Sequence, residues 1–82
     1  MSTLKVEMHP SAMGVGFTDT ELVVTLVDGR SISVPLAWFD TFSEATPKQL
    51  EDFEILGDGE GIHWPQLDED LSVKGLLLGA HA

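Results

Sequence analysis

The chain has 82 residues, 43% of them hydrophobic, and its four basic and 14 acidic residues give a formal net charge of −10. A chain of this length forms one domain with one modest core, so we assign residues 1–82 to a single domain. The absence of cysteine excludes disulfides, thiolate metal sites and cysteine nucleophiles, and the acidic balance argues against direct binding of nucleic acid.

The first ten residues, MSTLKVEMHP, contain no apolar core of a signal peptide. The sequence also has no run approaching the roughly 20 apolar residues of a membrane helix. We therefore expect a cytoplasmic protein that does not bind a membrane.

The N-terminal part of the chain predicts one strand and one ambiguous segment. In LKVEMH, the apolar residues Leu4, Val6 and Met8 alternate with polar ones, which predicts a half-buried strand that ends before Pro10. The following segment, SAMGVGF, is rich in glycine. It fits either a bulged strand or a loop.

Residues 21–35, ELVVTLVDGRSISVP, predict a β-hairpin around Asp28-Gly29. A two-residue turn at this dipeptide would mix apolar and polar side chains on each face of the hairpin. A three-residue loop over residues 27–29, with Gly29 in the left-handed conformation, pairs Val24 with Ile32 and gives one aliphatic face. We predict the three-residue loop.

Two short helices are predicted next. The spacing of Leu36, Phe39 and Phe42 indicates the first. The second has a strong start signal, because Thr46 can cap the helix and a glutamine three residues later completes a capping box around Pro47.

The last third of the chain predicts two strands and a final helix. FEIL and IHWP are strand-like segments separated by the turn sequence GDGEG. Ser72 is expected to cap a helix over residues 73–78 that Gly79 ends. The acidic run of residues 68–70 would then lie just before this helix, where negative charge favours the helix dipole.

The sequence lacks the motifs of common catalytic and metal sites. Its three histidines, His9, His63 and His81, do not form a paired metal-binding spacing, and the acids do not follow the EF-hand order. No nucleophile elbow, phosphate loop or dinucleotide motif is present. We therefore expect no enzymatic activity, no cofactor and no metal, although a small hydrolase or metal protein using His63 stays a third possibility.

The strongest candidate for a functional surface surrounds His63. This residue alternates with Ile62 and Trp64, so it should face away from a core that contains both of them. Acids on both sides of this strand would crowd one edge of its outer face and attract a basic protein partner. Solubility is the alternative reason for such acids. The candidate partner-binding residues are Asp58, Glu60, His63, Asp68, Glu69 and Asp70.

Two blocks of the sequence, DGRSISVPLAWF and ATPKQLEDFEILGDGEGIHWPQLDEDLSVKGLL, identify a family resemblance. In their order and composition they resemble the bacterial family catalogued as domain of unknown function 2442, from about Met13 to Gly79. The resemblance implies a small α+β domain without known catalytic residues. Asp40 stands where many relatives carry proline, so the start of the first helix is open.

The resemblance also implies a context for function. In some relatives a similar domain precedes a helix-turn-helix, which we do not expect here because the chain ends at Ala82. Many relatives are encoded beside a small protein of another uncharacterised family, unknown function 4160, in arrangements that resemble toxin–antitoxin pairs. Our leading hypothesis is a non-enzymatic, antitoxin-like protein that binds a basic partner. The alternative is a ligand-sensing or oligomerising regulatory module.

These observations together predict an α+β fold. We expect one antiparallel sheet built around the central hairpin, with two to three short helices packed on one face. Homo-oligomers are compatible with this arrangement.

Overall fold

The computed structural model describes residues 11–79. The predicted strand over LKVEMH lies outside these residues. Within them, two three-stranded antiparallel sheets have the orders β1-β2-β3 and β4-β5-β6. The elements are β1 (Ala12–Phe17), β2 (Glu21–Leu26), β3 (Ser31–Pro35), a 3-10 turn (Leu36–Trp38), α1 (Asp40–Ser43), α2 (Pro47–Glu51), β4 (Glu54–Leu56), β5 (Gly61–Trp64), β6 (Glu69–Ser72) and α3 (Val73–Leu77).

The predicted α+β class is confirmed, but the strands form two sheets where we expected one. No helix in residues 11–79 has the length and hydropathy needed to cross a membrane.

The central hairpin has the predicted register. Val24 pairs with Ile32, and the Leu26 N–H donates to the Arg30 carbonyl oxygen across a loop of residues 27–29. Gly29 has φ +98°, the left-handed conformation that the three-residue loop requires. Next to this loop, the Arg30 side chain donates a hydrogen bond to the Asp28 carboxylate, and the Arg30 backbone N–H donates another. Both bonds lower the pKa of Asp28, and the side-chain bond has the larger effect.

The glycine-rich segment is a strand, which decides between the two alternatives that its sequence left open. It forms β1, which pairs with β2 and shifts register between Ala12 and Gly14, as a bulged strand does. Val15 lies opposite Val24, whose side chain is fully buried, so these two residues share the core face of the first sheet.

The first predicted helix is in fact two separate turns. Phe39 has an extended backbone, with φ −127° and ψ 103°, and it separates the 3-10 turn from α1. The spacing of three still places Phe39 and Phe42 in the core, because both side chains are buried. Asp40 is the first residue of α1.

The predicted start of α2 is confirmed. The Thr46 side chain accepts a hydrogen bond from the Gln49 N–H, and the Gln49 side chain accepts one from the Thr46 N–H. Pro47 occupies the first turn, where its missing N–H removes no helical hydrogen bond. This reciprocal cap fixes where the short helix begins.

The second sheet contains a strand that the sequence analysis missed. Residues 69–72 form β6, which pairs with β5, so the segment directly before the last helix is a strand. The final helix is as predicted at its start, since the Ser72 side chain accepts a hydrogen bond from the Gly75 N–H. It ends one residue earlier than expected, at Leu77, and Gly79 follows with φ +80°.

The two sheets are joined at the start of β1. The Ala12 N–H donates to the Gly59 carbonyl oxygen, in the β4–β5 turn, over 2.8 Å. Gly59 has φ +93°, and a Cβ atom there would lie 2.8 Å from both the N and O atoms of Ala12. A glycine is therefore required where the first sheet meets the second.

Trp64 lies at the centre of the shared core. Its side chain is fully buried, and its ring packs against Phe42 with centroids 4.8 Å apart. The indole Nε1–H donates to the Leu50 carbonyl oxygen over 3.0 Å, so its polar group is satisfied. The prediction of a core position is confirmed for Trp64; the other tryptophan, Trp38, is half-buried.

Candidate functional site

Three polar residues form a row across the outer face of the second sheet. His63 in β5 lies directly opposite Glu54 of β4 on one side and Asp70 of β6 on the other. Directly opposed residues of antiparallel strands project to the same face, so the three side chains share one surface. The neighbouring residues Ile62 and Trp64 are fully buried on the opposite face. The predicted orientation of His63 is confirmed.

His63 and Asp70 contact each other within this row. The Nδ1 atom of His63 lies 2.5 Å from the Oδ1 atom of Asp70. The His63 side chain is 28% exposed and that of Asp70 is 70% exposed, so both remain accessible to a partner. The carboxylate can accept a hydrogen bond from the ring, which orients the imidazole and leaves its Nε2 atom as the other polar position.

A shallow depression of about 490 Å³ lies beside the row, at the end of the sheet near the β4–β5 turn. Its lining combines two acids, Glu60 and Asp70, with the apolar side chain of Leu56, which is 42% exposed. The Val73 N–H donates to the Glu60 carbonyl oxygen over 2.9 Å, which ties this turn to the start of α3. The depression therefore combines the negative charges of Glu60 and Asp70 with the apolar side chain of Leu56, and a hydrogen bond holds the backbone of its turn in place.

The structure brings together only some of the residues that the sequence analysis grouped. Asp58 and Glu60 lie in the turn before β5, whereas Asp68 lies in the turn after it, at the other end of the sheet. Glu69 pairs with Trp64, so it projects from the face opposite to His63, and it is half-buried. The expectation that these acids line one edge of the outer face is wrong for Asp68 and Glu69.

Glu54 is the member of the row that the sequence analysis missed. A signal was available, because the apolar residues Phe53 and Ile55 of the predicted strand alternate with Glu54. The same alternation places Glu54 on the outer face with His63.

The arrangement does not resemble a metal centre. Within residues 11–79, no group of three or more histidine, aspartate or glutamate side chains has the geometry to hold a metal ion. The chemistry that the described residues do support is hydrogen bonding and charge pairing with a positively charged group.

Comparison with known proteins identifies the family. The sequence model described as "Protein of unknown function (DUF2442)" matches residues 12–82. The chain belongs to the DUF2442 family. No curated protein matches this DUF2442 chain.

Two solved structures are similar to this DUF2442 protein. The crystal structure of a protein of unknown function from Rhodospirillum rubrum is 33% identical, with a TM-score of 0.76 over 89% of this chain and 90% of that one. The solution NMR structure of an uncharacterised protein from Chromobacterium violaceum is 28% identical, with a TM-score of 0.73 over 88% of this chain and 68% of that one. Both support the fold of the DUF2442 domain.

Proposed function

We propose that this DUF2442 protein is a non-enzymatic, antitoxin-like protein that binds a basic protein partner. The binding surface is the outer face of the second sheet, which we call the acidic face and define by Glu54, Leu56, Glu60, His63 and Asp70. The observation that carries the proposal is the register of this sheet, which aligns Glu54, His63 and Asp70 across three strands.

The charge of the chain supports a basic partner. The net charge of −10 favours encounter with a positively charged protein and raises its association rate at low salt. Glu54, Glu60 and Asp70 are exposed at the acidic face, and Asp70 and Glu60 also line the adjacent depression. Arginine or lysine side chains of a partner would pair with these carboxylates.

The apolar residue Leu56 supports a specific contact with the partner, in addition to the attraction between opposite charges. Rim charges mainly set the association rate, whereas apolar groups that become buried slow dissociation. Leu56 is 42% exposed and lines the same depression as Glu60 and Asp70. A partner that covers Leu56 would remove apolar area from water while its basic groups meet the surrounding acids.

The test is capture from the native cell lysate with the immobilised protein, followed by identification of bound proteins and a salt titration. The double variant Glu54→Lys/Asp70→Lys should weaken binding of a basic protein at least tenfold, which corresponds to about 1.4 kcal/mol. Binding to the unaltered protein should weaken as salt rises, because salt screens exposed charges.

The matched control is Asp19→Lys/Glu44→Lys, which changes the net charge equally at exposed positions outside the acidic face. It should reduce capture by a much smaller factor. Equal losses in both double variants would mean that only overall acidity matters and would overturn the site. Recovery of no basic protein would overturn the proposed function itself.

A further inference from the structure

An apolar cleft of about 310 Å³ lies between β1, α2 and Phe53, the residue that precedes β4. The acidic face contributes none of its five defining residues to the lining of this cleft. Its lining includes Val15, Phe17, Leu50, Glu51 and Phe53.

The walls of the cleft are apolar and come from separate elements. Val15 and Phe17 belong to β1, Leu50 belongs to α2, and Phe53 leads into β4; all four side chains are half-buried. They are therefore partly in contact with solvent although each is large and apolar. Covering them with an apolar group would be favourable by the area removed from water.

The walls of the cleft are held in place by the core. Phe17 and Phe53 both pack against Trp64, each with a ring-centroid distance of 6.2 Å. The Trp64 Nε1–H bonds to the Leu50 carbonyl oxygen, which ties α2 to the same ring. Because Phe17, Phe53 and Leu50 all contact the buried Trp64 side chain, the cleft is preformed and does not need to be assembled by a ligand.

Glu51 sets the charge preference of the cleft. It is the one charged residue among the lining residues that the structure describes, and it is exposed. An apolar cavity with a single carboxylate at its margin selects a molecule that carries an apolar group and a positive charge. A carboxylate ligand would meet repulsion from Glu51 and from the acidic chain as a whole.

We propose that this cleft binds a small organic cation with one aromatic ring, a primary amine of the arylalkyl type. The ring packs against Phe17 and Phe53, where edge-to-face contacts are favourable, and the ammonium pairs with Glu51. The volume is at the lower end of the range of about 300–1,000 Å³ that small-molecule sites occupy, which fits one ring and a short chain. This site does not depend on the proposed binding of a protein partner.

The experiment is a titration of the ¹⁵N-labelled protein with 2-phenylethylamine, compared with phenylacetate, which has the same ring and the opposite charge. Saturable shifts are expected for the Trp64 Nε1–H, which donates to the carbonyl oxygen of the lining residue Leu50, and for the amides of residues 15–17 and 50–53. The amine should bind at least fivefold more tightly than the carboxylate.

Two variants of equal charge change test the role of Glu51. Glu51→Gln should weaken amine binding by about three- to fivefold, the size expected of an exposed ion pair, whereas Glu60→Gln at the acidic face should leave it unchanged. Equal affinities for the amine and the carboxylate, an absence of saturable shifts at the cleft, or equal effects of the two variants would each overturn the proposal. None of these outcomes bears on partner capture by the acidic face.

Discussion

His63 and Asp70 occupy directly paired positions of β5 and β6, and their Nδ1 and Oδ1 atoms lie 2.5 Å apart. This contact joins the last strand of the second sheet to its central strand through side chains as well as through the backbone. It also fixes the orientation of the one imidazole on the described part of the acidic face.

The first prediction concerns the energy of this contact. A double-mutant cycle with His63→Ala and Asp70→Ala should give a coupling free energy of about 0.2–1 kcal/mol, because both groups are accessible to water and cross-strand pairs contribute in this range. The measurement is urea denaturation of the two single variants and the double variant.

The matched control for this cycle is the pair His63 and Glu54, which are also directly opposite each other. No hydrogen bond joins their side chains in the described part of the chain, so their coupling should be smaller. A larger coupling for Glu54 than for Asp70 would contradict the contact seen here.

The second prediction concerns the junction of the two sheets. Gly59→Ala should lower the free energy of unfolding by about 2–4 kcal/mol, since it combines an unfavourable positive φ with a clash against the Ala12 backbone. Gly57→Ala is the control: φ is +57°, but the added Cβ would meet only the Glu60 Oε2 atom at 3.6 Å. Equal destabilisation by the two variants, measured by thermal or urea unfolding, would show that the clash at Gly59 does not matter.

The third prediction concerns the hairpin loop. Gly29→Val should cost about 1–2 kcal/mol, because Gly29 has φ +98° and a β-branched residue resists this conformation. The space around Gly29 is open, so the cost comes from the backbone alone. Gly14→Val is the control, since it also has open space, lies in a strand and has no positive φ. An unchanged unfolding midpoint for Gly29→Val would contradict the three-residue loop.

Local signals in the sequence were reliable where the deciding interactions lie within a few residues of each other. The capping box of Thr46 and Gln49 and the cap at Ser72 are confirmed, because a helix start depends on side chains no more than one turn away. The hairpin register was predictable for a related reason. Of the two loop lengths compared, only the three-residue loop pairs Val24 with Ile32.

The strand β6 was missed because its apolar alternation is interrupted in the sequence at Glu69. Leu67, Glu69, Leu71 and Val73 are the half-buried or buried residues of this segment, and they recur at every second position. The acids between them are poor strand formers, and a helix cap follows directly at Ser72. The signal for a helix start therefore outweighed the signal for a strand. The strand forms because its backbone pairs with that of β5.

The sequence by itself determined the α+β class, the hairpin register, two helix starts and the outward orientation of His63. The reason is that periodicity and capping act over short distances along the chain. Only the tertiary structure decided that the strands divide into two sheets, that Glu54 and Asp70 flank His63, and that Glu69 faces the other way. These features depend on which strands pair and in which register, and a shift of one residue in that pairing would exchange the two faces of the sheet.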